Sequence, residues 1–176
     1  MLSLGKETDS LEQVNLWIGD ERSETTFHRD HYENVYCVVR GVKVFHLLPP
    51  CDGRVLGFRD APAAKFASSS DGFGIELENP RRHVPWASAT PASLRSRARE
   101  TPRDPVVPIV VEVRAGEALY LPALWYHHVE QRRGFKAEPA VAVNYWYDMA
   151  FDDRYAYARF TQEAHTRFGG ESASTD

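Results

Sequence analysis

Strand-forming runs closed by glycine, aspartate or proline follow one another through most of this chain, and only the C-terminal segment keeps a helical period. QVNLWIGD (13–20), NVYCVVR (34–40), VKVFHLLPP (42–50), VVPIVVEVR (106–114), EALYLP (117–122), HHVEQ (127–131) and AVAVNYWYD (140–148) are rich in Val, Ile, Leu, Tyr and Trp and too short for helices. Interleaved turns of this kind predict an all-β sandwich or barrel of the jelly-roll type. The missing alternation of strand with helix excludes a parallel α/β sheet. Arg40-Gly41 reads as a tight hairpin turn, which would lay the second and third runs side by side and antiparallel. At the end, DDRYAYARFTQEAHTRF predicts one helix, N-capped by Asp152 or Asp153, with Tyr155, Ala158, Phe160, Ala164 and Phe168 loosely on one face. GGESASTD (169–176) reads as a frayed tail.

Residues 51–105 differ in character, because Pro62, Pro80, Pro85, Pro91, Pro102 and Pro105, with Gly53, Gly57, Gly72 and Gly74, interrupt every longer period. The expectation there is loop with brief extended pieces, GFGIELE foremost. ATPASLRSRARETPRDP, basic through Arg95, Arg97, Arg99 and Arg103, reads as a solvated or partner-contacting loop.

Composition narrows the class. At 176 residues the chain fits one domain, and 43% hydrophobic content supports a core without staples. A net charge of -4, from 21 Lys plus Arg against 25 Asp plus Glu, lacks the footprint of a general nucleic-acid binder. Cys37 and Cys51 match neither a zinc pattern nor a disulfide scaffold, which suits a reducing compartment. No signal-like or membrane-length apolar run occurs. The expected location is the cytoplasm, with the nucleus as a second compartment.

Two places carry candidate chemistry. In TTFHRDHYEN, His28 and Asp30 are two residues apart, so an extended strand would project both from one face and His31 from the other. One further histidine from a distant strand would complete a two-His, one-carboxylate face on a metal, the donor set of non-haem Fe(II). LYLPALWYHHV offers two, His127 and His128, at the inner end of an aromatic strand. Metal-bound imidazoles must be neutral and the carboxylate ionised, so binding weakens in acid.

TTFHRDHYENVYCVVRGVKVFHLLPP, VPW, RAGEALYLPALWYHHVEQ and AVNYWYD together strongly resemble the jumonji-C (JmjC) domain family of Fe(II)- and 2-oxoglutarate-dependent oxygenases. Within it, the likeness is greatest to small hydroxylases of the jumonji domain-containing protein seven type, over roughly residues 13–160. The resemblance implies a double-stranded β-helix, a cupin-like jelly roll. It implies His28, Asp30 and His127 as iron ligands, since the family's PxxxxH pattern counted from Pro122 reaches His127, while alternation would send His128 outward. It implies that Lys43, fifteen residues after His28, meets the distal carboxylate of 2-oxoglutarate, with the Thr25 hydroxyl on the same group. Asn34 and Asn144 would line that pocket, Tyr36 and Trp146 would wall it, and Trp125 and Tyr126 would pack the barrel mouth.

The implied reaction consumes O2 and 2-oxoglutarate, gives succinate and carbon dioxide, and hydroxylates a protein side chain. In the branch most alike, that side chain is a lysyl residue of a translation-associated GTPase. Two other readings stand beside it: an N-methyl-lysine demethylase on the same ligands, and a non-catalytic cupin-like binding module. Family members of this type carry an N-terminal extension with a further tyrosine on 2-oxoglutarate. About twelve residues precede the first proposed strand here. The domain is therefore expected to occupy 13–168 without that extension or its tyrosine.

Overall fold

Alternating apolar and polar side chains, with β-branched and aromatic residues at the buried positions, organise the chain into two facing antiparallel sheets. The computed structural model describes residues 11–69, 72–100 and 105–168, so the expected tail at 169–176 lies outside the described residues, as do Pro102 and Arg103. The strands are β1 (Leu11–Gly19), β2 (Thr25–His28), β3 (Tyr32–Arg40), β4 (Val42–Leu48), β5 (Phe58–Pro62), β6 (Ala64–Ser69), β7 (Gly72–Leu77), β8 (His83–Ala87), β9 (Ile109–Arg114), β10 (Ala118–Leu121), β11 (Tyr126–Arg132) and β12 (Ala140–Asp148). The helices are α1 (Pro91–Glu100) and α2 (Asp153–Phe168), with a 3-10 helix at Pro50–Leu56. One sheet has the order β1-β12-β3-β10 and the other β2-β11-β4-β9, as expected of a cupin-like jelly roll. No helix among the described residues is long and apolar enough to cross a membrane.

The turn at Gly41 is present, but the hairpin expected from it is not. Gly41 has φ 77°, and the chain there passes from one sheet to the other, so β3 pairs with β12 and β10 while β4 pairs with β11 and β9. A Cβ at Gly41 would lie 2.7 Å from the Arg132 carbonyl oxygen and 2.9 Å from Ala140 Cβ. Both the left-handed backbone and the lack of space therefore require glycine. A local turn signal fixes chain reversal, whereas pairing is decided by which strand buries the better face, and that is not local.

Between the sheets, Tyr36, Val38, Phe45, Leu47, Val113, Leu121 and Ala142 form one apolar cluster. A second lies outside the β2-β11-β4-β9 sheet, where Phe27, Leu48 and Tyr126 meet Leu56, Ala87, Ala89 and Leu94. Tyr126 thus packs the outer face and not the barrel mouth. The residues that cover this face come from the segment read as loop. It contains the β5–β8 and β6–β7 pairs and α1, with GFGIEL forming β7 as expected. The signal for α1 was present: the Thr90 hydroxyl accepts from Ser93 N (3.1 Å), the Ser93 hydroxyl accepts from Thr90 N (2.9 Å), and Pro91 follows the cap. This reciprocal capping, with proline in the first turn, starts a helix despite low apolar content. Truncating Leu94, 1% exposed, should remove the main anchor of α1. Leu94→Ala is expected to lower stability by about 3 kcal/mol in urea denaturation; a loss below about 1 kcal/mol would mean that α1 does not hold the outer cluster together.

α2 behaves as the sequence predicts at its start, where the Asp152 carboxylate accepts from Arg154 N at 3.0 Å. Its Ala158 packs with Leu124 and Met149, while Phe160, expected on the apolar face, is exposed.

Candidate metal and co-substrate site

A β-bulge places two of the expected residues on one face. Across the β2–β11 ladder His28 opposes His127 and Thr25 opposes Val129, so three steps on β2 match two on β11. Simple alternation would put Thr25 and His28 on opposite faces, and the extra residue turns both inward. Asp30 lies beyond the end of β2, so the shared face of His28 and Asp30 is made by the loop and not by strand alternation. That loop is tied down: Leu124 N donates to the Asp30 carbonyl at 2.9 Å. Leu124 itself has φ 68°, a left-handed conformation unfavourable for a leucine, and is held there by burial against Met149 and Ala158. The buried Glu33 carboxylate accepts from Tyr120 Oη (2.6 Å) and Ala123 N (3.1 Å), fixing the same turn before His127.

One ligand atom from each of His28, Asp30 and His127 lies within 4.8 Å of the other two. Asp30 Oδ2 is 3.6 Å from His127 Nε2 and 3.9 Å from His28 Nε2. His28 Nδ1 is 2.8 Å from the Thr26 carbonyl and His127 Nδ1 is 3.1 Å from that of Trp125. A carbonyl only accepts, so each neutral ring carries its hydrogen on Nδ1 and aims the Nε2 lone pair at the shared space. Burial, helped by the neighbouring His28, pushes His127 down to about 3, which keeps it neutral. Burial also raises Asp30, offset by His28 and His31. Two neutral imidazoles and one carboxylate converging in this way fit a divalent transition-metal ion with open positions.

All nine residues expected from the sequence line one cavity of 140 Å³ between the sheets: His28, Asp30, His127, Thr25, Asn34, Tyr36, Lys43, Asn144 and Trp146. Lys43 is 3% exposed, and burial lowers it to about 8. Its Nζ donates to Gln131 Oε1, and Gln131 Nε2 donates in turn to the Ser23 carbonyl at 3.1 Å. Among the described residues no carboxylate pairs with this ammonium, so its charge is met by a neutral amide alone. A carboxylate ligand is the natural complement. Asn144 Nδ2 donates to Asn34 Oδ1 (3.1 Å), and Trp17 Nε1 donates to Asn144 Oδ1 (2.9 Å). Tyr36 meets Phe45 edge-on at 5.0 Å and burial pushes its pKa up, so it stays a phenol. Trp146 lines the cavity, stacks on Tyr32 with ring centroids 4.7 Å apart, and keeps its Nε1 buried with no hydrogen-bond partner.

Sequence reasoning missed Gln131, Trp17 and Ser23. Gln131 was within reach, because it sits two alternations along β11 from His127 and opposite Lys43 in the β4–β11 register. Trp17 reaches the cavity from β1, whose position beside β12 no local pattern encodes. His128 is not outward in the sense of solvent-facing: it is 1% exposed beneath the outer cover of the sheet.

Comparison with known proteins agrees with the fold. The family model described as a cupin-like domain matches residues 3–153. The chain is 48% identical over 161 residues to "Lysine-specific demethylase JMJ32" of Arabidopsis thaliana, covering 87% of this chain and 46% of that protein. It is 40% identical over 156 residues to "Bifunctional peptidase and (3S)-lysyl hydroxylase JMJD7" of Homo sapiens, covering 88% and 46%. It is 33% identical over 168 residues to "JmjC domain-containing protein E" of Dictyostelium discoideum, covering 88% and 47%. The chain therefore spans about half the length of the curated relatives it matches. With a matching domain model, JmjC relatives and the two-sheet fold in agreement, the chain belongs to the cupin-like JmjC domain family.

Proposed function

We propose that this chain is an Fe(II)- and 2-oxoglutarate-dependent oxygenase that hydroxylates a protein side chain, with a lysyl residue as its target. One observation carries the reading: a His-Asp-His face and a buried, carboxylate-free ammonium line the same cavity. When bound, the metal and co-substrate supply the oxidising power, as 2-oxoglutarate and O2 become succinate and carbon dioxide and one oxygen atom enters a C–H bond.

The chain's own residues bind, orient and exclude water. His28, Asp30 and His127 hold the ion from one side and leave the rest of its shell for exchangeable ligands. Lys43 neutralises the distal carboxylate of the co-substrate, and Thr25 adds a hydroxyl donor from the same face. The Asn34–Asn144 pair, Tyr36 and Trp146 shape the walls, and Phe45 and Val129 keep the interior dry.

A demethylase acting on N-methyl-lysine is the second reading, favoured by the name of the Arabidopsis relative, a lysine-specific demethylase. Both readings place a lysyl side chain of a protein at the metal, and a translation-associated GTPase is the partner class proposed for the first. Mass spectrometry separates them, using peptides from such GTPases and methyl-lysine peptides incubated with the chain, Fe(II), 2-oxoglutarate and ascorbate. A gain of about 16 Da on lysine supports hydroxylation. Loss of methyl groups without that gain overturns it in favour of demethylation.

A further inference from the structure

Lys43 and Gln131 face each other across the β4–β11 ladder, and both line the cavity that holds His28, Asp30 and His127. They are 3% and 6% exposed. Lys43 Nζ donates to Gln131 Oε1, and Gln131 Nε2 donates to the Ser23 carbonyl at 3.1 Å. An ammonium only donates and a carbonyl only accepts, so just one orientation of the amide satisfies both neighbours. Its place is defined as well, because the amide nitrogen fills the space that a Cβ at Gly19 would take. The carbonyl that holds it belongs to a tied turn between β1 and β2. There Ser23 N donates to the Asp20 carbonyl at 3.0 Å, and Arg133, just past β11, donates from Nη2 to Asp20 Oδ2 at 2.9 Å.

The neutrality of that amide decides how much charge the cavity wall presents. A carboxylate at position 131 would close an ion pair with the ammonium, and an incoming carboxylate would then meet a neutralised cation with a like charge beside it. An apolar side chain there would leave the buried ammonium without the acceptor that aims it. Glutamine avoids both outcomes. It accepts from one of the three N–H donors of Lys43 and adds no net charge, so the positive charge stays on the wall of the cavity.

We infer that Gln131 is a positioning residue that sets co-substrate selectivity: its neutral amide, locked between Ser23 and Lys43, aims the ammonium without cancelling its charge, so that the site takes a 2-oxo dicarboxylate in preference to a 2-oxo monocarboxylate. The inference rests on the proposed role of Lys43 as the anchor of 2-oxoglutarate. Selectivity then belongs to a pair, in which the lysine supplies the charge and the glutamine holds it in place. Binding to the pre-aimed ammonium needs no rearrangement of the wall, which favours the ligand that carries a distal carboxylate.

The full chain, loaded with Mn(II) under anaerobic conditions, is titrated by calorimetry with 2-oxoglutarate and with 2-oxobutanoate, which has the same 2-oxo acid head and no distal carboxylate. Wild type should prefer 2-oxoglutarate by at least about tenfold. Gln131→Glu should bind 2-oxoglutarate at least about tenfold more weakly while 2-oxobutanoate stays within about twofold, so the preference collapses. Gln131→Met, which removes the acceptor and adds no charge, should weaken 2-oxoglutarate about fivefold and likewise spare 2-oxobutanoate. Circular dichroism and Mn(II) affinity check that each variant keeps its fold and its metal face. If Gln131→Glu does not fold, Gln131→Met decides. An unchanged preference in a folded variant, or the equal loss for both acids that a merely structural role would give, overturns the role of Gln131 and leaves the co-substrate reading standing. A metal-loaded wild-type chain with no preference for 2-oxoglutarate overturns that reading and this inference together.

Discussion

His127→Ala is expected to abolish Fe(II)-dependent succinate formation, whereas His128→Ala should retain it and lose stability instead. The two histidines are adjacent, both buried, and on opposite faces of β11, so the pair separates metal ligation from packing within one strand. His127 gives its Nε2 lone pair to the space shared with His28 and Asp30. Removing it leaves two donors, His28 and Asp30, for the ion. Loss of a residue that merely orients a ligand costs up to about a hundredfold in metal affinity or activity, so loss of the ligand itself should exceed that. His128 touches the Phe27 ring at 5.3 Å and the His46 ring, and neither belongs to the inner cavity. Retained turnover in His127→Ala with loss in His128→Ala would reverse the assignment.

Lys43→Met is expected to raise the 2-oxoglutarate requirement about thirtyfold, equivalent to about 2 kcal/mol for a buried charge-assisted contact, and to leave metal affinity nearly unchanged. The same substitution should raise thermal stability. It removes an ammonium that burial disfavours and replaces it with an apolar side chain of similar length. The pH dependence separates the two effects. The folded protein releases the Lys43 proton near pH 8, while the unfolded chain holds it to about 10.5. Unfolding between those values takes up a proton, so this group's contribution to stability rises from pH 8 to about 10.5. Co-substrate affinity moves the other way: flat below pH 8, then falling about tenfold per unit as the anchor loses its charge. Anaerobic calorimetry with a redox-inert metal, compared across pH for both proteins, checks this. An equal slope in wild type and Lys43→Met would remove Lys43 from the anchor role.

Much of the inner site is legible in the sequence because most of its residues lie in period-two strands beside clear turn signals. Alternation from His127 leads to Val129 and Gln131, and alternation from Lys43 to Phe45 and Leu47, so one face of two paired strands could be written down from spacing. The ligand set and the co-substrate anchor came from the likeness of whole motifs, and all nine residues named on that basis line one cavity. What escaped was whatever depends on partners far away in the chain. Gly41 announced a turn, but its strands joined different sheets because each buries its inner face against other strands. Proline and glycine in residues 51–105 masked α1, whose Thr90/Ser93 cap is a short signal beside a long disruptive one. Asp30 sits past the end of β2, and Thr25 faces inward only through a bulge that periodicity does not reveal. His128 was placed outside by correct alternation, yet the cover supplied by Leu56, Ala87 and Leu94 makes that outside a second interior.

Anaerobic addition of Fe(II) and 2-oxoglutarate to the chain, followed by exposure to air and quantification of succinate, tests the central claim most directly. Iron and co-substrate should bind together, giving a visible charge-transfer band that appears only when both are present. Air should then bleach the band as succinate forms, even without a protein substrate. Asp30→Ala should show neither band nor succinate, and Lys43→Met should show both only at much higher 2-oxoglutarate. A folded wild-type chain that binds Fe(II) without recruiting 2-oxoglutarate, or that forms no succinate in air, would contradict the assignment of this cavity.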